Sequence, residues 1–422
     1  MASNQKTPRK EASRPIWAEV SLGKLAENFR LIREFVNPPE EKRKTPRKVL
    51  SIVKGNGYGH GGPQVAKALE KAGSDWLGVT CTEEGIAVRE VGVRKPVLVL
   101  TSFWPGEEPR LIEHDLTAVV HRCQQLKQLD QAAARAASSG RPLGRSADRS
   151  TGRSSVRSGK RIKFHLKIDT GMNRLGIATT DIECFATQLS KCKHLELGGV
   201  MTHFASSEVL TNTRTGEQTR QQEERFYAAL ERLQKLGIDP GIVHLANSAA
   251  IVTRPETWAD MVRPGAILYG YHPGYDPVDK RPEIEARLPV KPVMSFRSRI
   301  ITIREIPEGA GVGYNEKFIA KRPSRIGVLA AGYGDGIHRS LGNHGSVLIR
   351  GALAPIVGIV SMDVTMIDVT DVPNAEIGDV VTIHGTDGNH VHPANVIARS
   401  IGTVTSDLLC AVSQRVPRVY VR

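Results

Sequence analysis

The sequence predicts an α/β fold in two parts: an N-terminal TIM-type (β/α)8 barrel and a C-terminal, mostly antiparallel β domain. Three observations carry this expectation. Short apolar runs alternate with helical stretches as far as Arg263, and after Ala286 closely spaced strands follow one another between Gly, Pro and Asp turns. Chemically active side chains also gather directly after the apolar runs of the first part. A parallel βα barrel collects its functional groups at the C-terminal ends of its strands, so the third observation supports the first.

Ile16–Leu22 reads as an extra strand before the first helix (24–35), pairing outside the barrel. Barrel strands are read at Val49–Val53, Trp76–Thr80, Pro96–Leu100, Leu116–Val120, Ile162–Asp169, Leu195–His203, Ile242–Leu245 and Asp260–Arg263. One helix shows its period with particular clarity: Phe226, Leu230, Leu233 and Leu236 recur on one face, and Gly237 sits where a helix stops. The later strands are read at Val293–Ile303, Ser324–Ala331, Gly345–Ile349, Ala354–Val360, Thr365–Asp368 and Asp379–Ile383. The expected divisions are a basic tail at 1–14, the barrel at 15–285 and the β domain at 286–422. Within the barrel, 138–160 is a Ser/Arg/Gly-rich insert of low complexity, read as a loop before the fifth strand.

The net charge of +14 invites a nucleic-acid reading until it is located. Segments 1–14, 40–48 and 135–163 account for all of it, so the remainder is neutral. Such clusters are read as solvated, disordered segments rather than a binding face, and no specific nucleic-acid partner is expected. The five cysteines are scattered, with no C-x-x-C pair and no metal-ligand spacing. With a polar N-terminus and no apolar run of membrane-spanning length, they point to a reducing, cytoplasmic setting and to no metal.

Val49–Gly61 is the most informative stretch. A buried β-branched run ends on Lys54 and breaks into a glycine-rich loop. Apolar surroundings favour the neutral amine, which Schiff-base chemistry requires. Lys167 and Asp169 end the fifth barrel strand and His203 the sixth; Asn247 and Ser248 follow the seventh, and Arg263, Gly265 and Ala266 the eighth. A hydroxyl at Ser248 and open backbone N–H groups at Gly265 and Ala266 suit a phosphate held after the last two strands. A barrel lysine beside a phosphate site points to pyridoxal 5'-phosphate.

These residues stand in motifs similar to those of the alanine racemase family of fold-type III pyridoxal-phosphate enzymes. The quoted pieces are VKGNGYGHG (53–61), KIDTGMNRLG (167–176), MTHFA (201–205), HLANS (244–248), VRPG (262–265), VGY (312–314), GYGDG (332–336) and SMD (361–363). Their order and spacing extend the resemblance from about Pro15 to Arg422, apart from the insert. The resemblance implies a homodimer that interconverts L- and D-alanine with two bases, supplying D-alanine for peptidoglycan. Lys54 would carry the cofactor and act on one face of the α-carbon, and Tyr314 would reach in from the partner subunit to act on the other. Tyr58, Asn247, Ser248, Gly265 and Ala266 would surround the phosphate, His203 would pack on the ring, and Arg263 would face the ring nitrogen. Arg174 would bind the substrate carboxylate, with Met362 and Asp363 of the partner lining the substrate end. Lys167 matches a position often carbamylated in the family, His244 would support Tyr314 together with Arg263, and Tyr333 with Arg339 would guard the entry.

Departures from the family pattern are equally specific. Gly55 and Gly57 stand where alanines are usual, which should loosen the lysine loop. Ser406 stands where many relatives carry a tyrosine that bounds the pocket, so serine or larger substrates could enter. Ser361 replaces a cysteine of some members. A non-catalytic single-barrel pyridoxal-phosphate protein would lack the C-terminal domain and Tyr314, and a fold-type III decarboxylase would place an acid where this chain has Arg263.

Overall fold

The structure is a computed structural model describing residues 14–138 and 161–422, so the basic tail before Arg14 and the insert after Ser138 lie outside the described residues. The first sheet uses β2 (Lys48–Ile52), β3 (Trp76–Val79), β4 (Val97–Val99), β5 (Leu116–Val120), β6 (Ile162–Asp169), β8 (Leu195–Met201), β9 (Ile242–His244) and β10 (Met261–Val262). They pair in the parallel order β10-β2-β3-β4-β5-β6-β8-β9, and the short β7 (Ile177–Ala178) pairs with β6. Backbone bonds from Asp260 N to Val243 O and from Arg263 N to Ala246 O, each 3.0 Å, draw the two ends of the sheet together. This is the barrel, and each expected strand agrees to within a residue or two at its ends.

Strand alternation sets the two faces. In β2, Val49 belongs to the large core between strands and helices, whereas Leu50 and Ile52 belong to the small barrel interior with Leu98, Val119, Met201 and Met261. Lys54 continues the phase of Leu50 and Ile52, which carries it into the barrel mouth.

The second sheet holds β1 (Ile16–Ser21), β11 (Met294–Ile306), β14 (Ser324–Leu329), β15 (Ser346–Ile349), β16 (Ala352–Pro355), β17 (Thr365–Asp368), β18 (Val380–Asp387), β19 (His390–His392) and β20 (Arg418–Val421). A small hairpin pairs β12 (Gly311–Val312) with β13 (Phe318–Ile319). The extra N-terminal strand does pair outside the barrel: β1 runs antiparallel to β11 and parallel to β20. Arg14, just before it, forms an ion pair with the buried carboxylate of Asp335 at 2.8 Å.

Three readings change. The run at Ala354–Val360 is a strand only to Pro355, since Gly358 at φ +72° turns the chain. Leu236 is 45% exposed, because the helix Arg214–Lys235 has ended before it, while Phe226, Leu230 and Leu233 are buried. The basic segment at 40–48 is anchored: Arg47 is buried, pairs with Glu41 at 2.6 Å and lies 5.0 Å over the Trp258 ring.

Several histidines are buried in the neutral form, His60, His165 and His384 among them. Burial lowers His60 to about 4 and His165 and His384 to about 3, from an ordinary 6.5. Neither ring nitrogen of His384 has a hydrogen-bond partner, and the ring packs 5.7 Å from Phe296. Below about pH 6.5 the unfolded chain takes up protons that these folded histidines refuse, so stability falls with pH by about 1.4 kcal/mol per unit for each group. Urea midpoints should therefore drop from pH 6.5 towards pH 4, and His384→Leu should flatten the slope. Midpoints independent of pH would contradict this account.

Candidate active site

The loop after Lys54 is a left-handed turn. Gly55, Asn56, Gly57, Tyr58 and Gly59 all have positive φ, between 51° and 79°. Left-handed backbone costs L-residues about 1–2 kcal/mol each, so Gly55 and Gly57 relieve strain here as well as loosening the loop. Arg418 of β20 reaches across from the second domain and donates to Gly59 O at 2.8 and 2.9 Å. Tyr58 stacks on Tyr269 with centroids 4.8 Å apart, and His60 packs on the same ring at 4.6 Å. Tyr269 Oη in turn donates to Ile52 O at 2.9 Å.

Lys54 opens into a cavity of about 430 Å³ whose lining includes Tyr58, Lys167, Arg174, His203, Asn247, Ser248, Arg263, Gly265 and Ala266. Ten residues singled out in the sequence thus meet at the C-terminal face of the barrel. A cavity of about 420 Å³ at the opposite end, around Trp76 and Arg161, contains none of them.

One wall is an anion cradle. Ser248 Oγ accepts from Gly265 N–H at 2.9 Å, and a Cβ on Gly265 would come within 2.6 Å of Tyr58 Oη. Burial pushes the Tyr58 phenol up to about 12, so it stays a donor. Asn247 lines the cavity, but its Oδ1 caps the helix Ser248–Thr253 by accepting from Ala250 N–H, and it also accepts from Ser207 Oγ.

At the centre lies Arg263, which is buried and donates to the carbonyls of Thr202, His244 and Leu245 at 2.7–2.8 Å. Burial pulls its pKa down, yet a guanidinium so satisfied by acceptors keeps its charge. Its other contacts fix the tautomers around it. Arg263 donates to His203 Nδ1 at 3.2 Å and to His244 Nδ1 at 3.3 Å, and His244 Nε2–H then points at His165 Nδ1, 2.9 Å away. Burial, with Arg263 close by, holds His203 and His244 well below the usual histidine range. His244 is therefore a neutral relay beneath Arg263.

Lys167 is 6% exposed, and its pKa is pushed down to about 8 by burial and then by Arg263 and Arg174. The neighbouring carboxylate does not pair with it: Asp169 Oδ1 accepts the N–H groups of Gly171, Met172 and Asn173, shaping the loop that presents Arg174. Desolvation is also the main cause that lowers Lys54, followed by Arg174.

Six predicted residues lie outside this cavity: His244, beneath Arg263, and five on the second domain. Tyr314, Tyr333 and Met362 are exposed at 68%, 43% and 53% on the second domain. Asp363 pairs with Arg415 at 2.7 Å, and Arg339 begins a short 3-10 turn. Three cavity-supporting residues escaped the sequence reading. His165 shares the inward phase of Lys167 in β6, so strand alternation could have found it. Tyr269 and Glu84 gave no such signal.

The comparisons agree with this geometry. The family model described as alanine racemase, N-terminal domain, matches residues 20–273, and that described as alanine racemase, C-terminal domain, matches residues 293–420. Alanine racemase 2 of Caldanaerobacter subterraneus subsp. tengcongensis is 37% identical over 409 residues, covering 97% of this chain and 95% of that one. Alanine racemase of Halothermothrix orenii is 36% identical, covering 97% and 98%. Among solved structures, alanine racemase of Clostridium difficile 630 superposes with a TM-score of 0.82 at 30% identity, covering 97% of each chain. A two-domain match over nearly the whole length, on a barrel whose mouth gathers these residues, places the chain in the alanine racemase family of isomerases, which interconvert L- and D-alanine.

Proposed function

We propose that this chain racemises alanine with pyridoxal 5'-phosphate, using Lys54 and the Tyr314 of a second copy as opposed proton carriers. The observation that carries the reading is the meeting of Lys54, the Gly265–Ser248–Tyr58 cradle and Arg263 in one cavity. These residues fit the cofactor: the bare backbone of Gly265, with no room for a Cβ, lies directly against Tyr58 Oη and Ser248 Oγ as a cradle of anion-binding groups, and Lys54 is biased towards its neutral amine.

Tyr58, Ser248 and the backbone of Gly265 and Ala266 would hold the phosphate, and His203 would lie against the ring. Arg263, being charged, would face the ring nitrogen and disfavour its protonation. Bound there, the cofactor supplies an electron sink for the charge left at the α-carbon. Arg174 offers an exposed guanidinium for the substrate carboxylate. Lys54 then removes or returns the α-proton on one side, and Tyr314 on the other. Tyr314, Met362, Asp363, Tyr333 and Arg339 all lie away from the cavity of their own chain, which supports a homodimer in which each copy completes the other's site. The product would be D-alanine for peptidoglycan. A cytosolic setting is supported by five cysteines with no disulfide among the described residues, and no helix there is long and apolar enough to cross a membrane.

The test is formation of D-alanine from L-alanine by purified protein with pyridoxal 5'-phosphate, resolved by chiral chromatography, with L-serine in parallel. Ser406 lines the cavity beside Lys54, so serine is expected to be turned over as well. Ser406→Tyr should depress serine turnover about tenfold more than alanine turnover. Equal losses on both substrates would remove Ser406 as a determinant of breadth.

Lys167 should be carbamylated. A buried amine with a pKa of about 8 and cations around it gains by becoming an anion, and only the neutral amine attacks carbon dioxide. Formation should therefore slow about tenfold for each unit below pH 8. Carbon-13 bicarbonate should give a carbamate resonance that is absent from Lys167→Ala; no resonance at pH 8 or above would eliminate the modification.

A further inference from the structure

One carboxylate of the barrel mouth has no place in the scheme above. Glu84 is the third residue of the helix Thr82–Glu90, where a glutamate ordinarily turns back to cap its own helix N-terminus. Its Oε2 turns back one residue further, past the N-cap Cys81, and accepts from Thr80 N–H at 2.7 Å. Its Oε1 leaves the helix and accepts from Gly55 N–H at 2.7 Å and Asn56 N–H at 3.2 Å, the two backbone donors directly after Lys54. A single side chain therefore ties together the loops that follow β2 and β3. These two donors lie at the start of the left-handed turn, the segment least able to keep its shape by conformational preference alone.

We propose that Glu84 is a positioning residue for the reaction, fixing the backbone on which Lys54 stands and keeping a negative charge beside its amine. This rests on the reading that Lys54 is the chemically active lysine. The groups that face that amine are Arg174 from the loop after β6, Lys167 from β6, Arg263 after β10, Cys410 from the helix Thr405–Cys410, and Glu84. Of these, Glu84 is the strongest influence that favours the charged form, opposing burial and the arginines. Hydrogen bonds to two loop amides and a charge next to the lysine are separable functions, and two substitutions separate them.

The experiment reads Lys54 directly in the cofactor-free protein, by mass spectrometry of its acetylation rate against pH. Glu84→Gln keeps an amide oxygen for Gly55 and Asn56 N–H, gives up the acceptor for Thr80 N–H and removes the charge, so the labelling rate of Lys54 at pH 7 should rise about threefold to tenfold, with little loss of cofactor capture. Glu84→Ala removes the acceptor as well. Borohydride capture of pyridoxal phosphate on Lys54 and racemisation should then both fall at least tenfold, and Glu84→Gln should restore most of the capture. A labelling profile unchanged in Glu84→Gln, together with normal capture in Glu84→Ala, would reduce Glu84 to an ordinary helix cap. Should Glu84→Ala fail to fold, the Glu84→Gln profile decides alone. Failure of borohydride to join the cofactor to Lys54 in the unaltered protein would instead overturn the reading of Lys54 itself.

Discussion

Lys54→Ala is expected to lower kcat/KM for alanine by about 10⁴-fold or more, in both directions, with the fold retained. The size follows from two roles falling on one amine, covalent attachment and proton transfer. Lys167 also lines the cavity, but from β6 rather than from the loop after β2. Chiral chromatography of each reaction direction, with circular dichroism to verify folding, checks this. A loss below tenfold would remove Lys54 from the chemistry.

Tyr314→Phe should cost about 10²–10⁴-fold, and most where the phenol must take the α-proton. Its distinctive consequence appears on mixing. If each site joins Lys54 of one copy to Tyr314 of the other, co-refolded Lys54→Ala and Tyr314→Phe chains make a hybrid with one intact site and one doubly damaged site. Random pairing would then restore about a quarter of the unaltered activity from two nearly inactive parents. No recovery on mixing, despite hybrid formation, would place both residues in the same chain's site or dismiss Tyr314.

The barrel was legible because its strands carry two readable signals, apolar runs of strand length and functional residues at the ends. Ile162–Asp169 and Leu116–Val120 were read to the residue. The phase that puts Leu50 and Ile52 inside the barrel also directs Lys54, so the lysine's direction could be read from the sequence. What failed was local or relational. Gly358 turned a run of β-branched residues out of the sheet, and nothing nearby in sequence warns that Glu84 bonds to Gly55 and Asn56 across 28–29 positions. His244 illustrates a third kind of limit. Its place next to Arg263 followed from the motif, but its neutrality depends on complete burial and on the hydrogen-bond direction that Arg263 imposes.

The parallel pairing of β1 with β20 gives this chain an order of assembly. Ala18 to Ser21 lie beside Arg418 to Val421, so β1, already able to pair with β11, gains its second neighbour only once β20 has been made. All the barrel strands are available long before that, and the lysine loop can form early. Arg418 follows all of them in β20, and only then does its guanidinium reach Gly59 O. A truncated or half-synthesised chain would thus carry the lysine and the cradle without the arginine that pins the loop. Arrival of β20 becomes the event that finishes the catalytic turn.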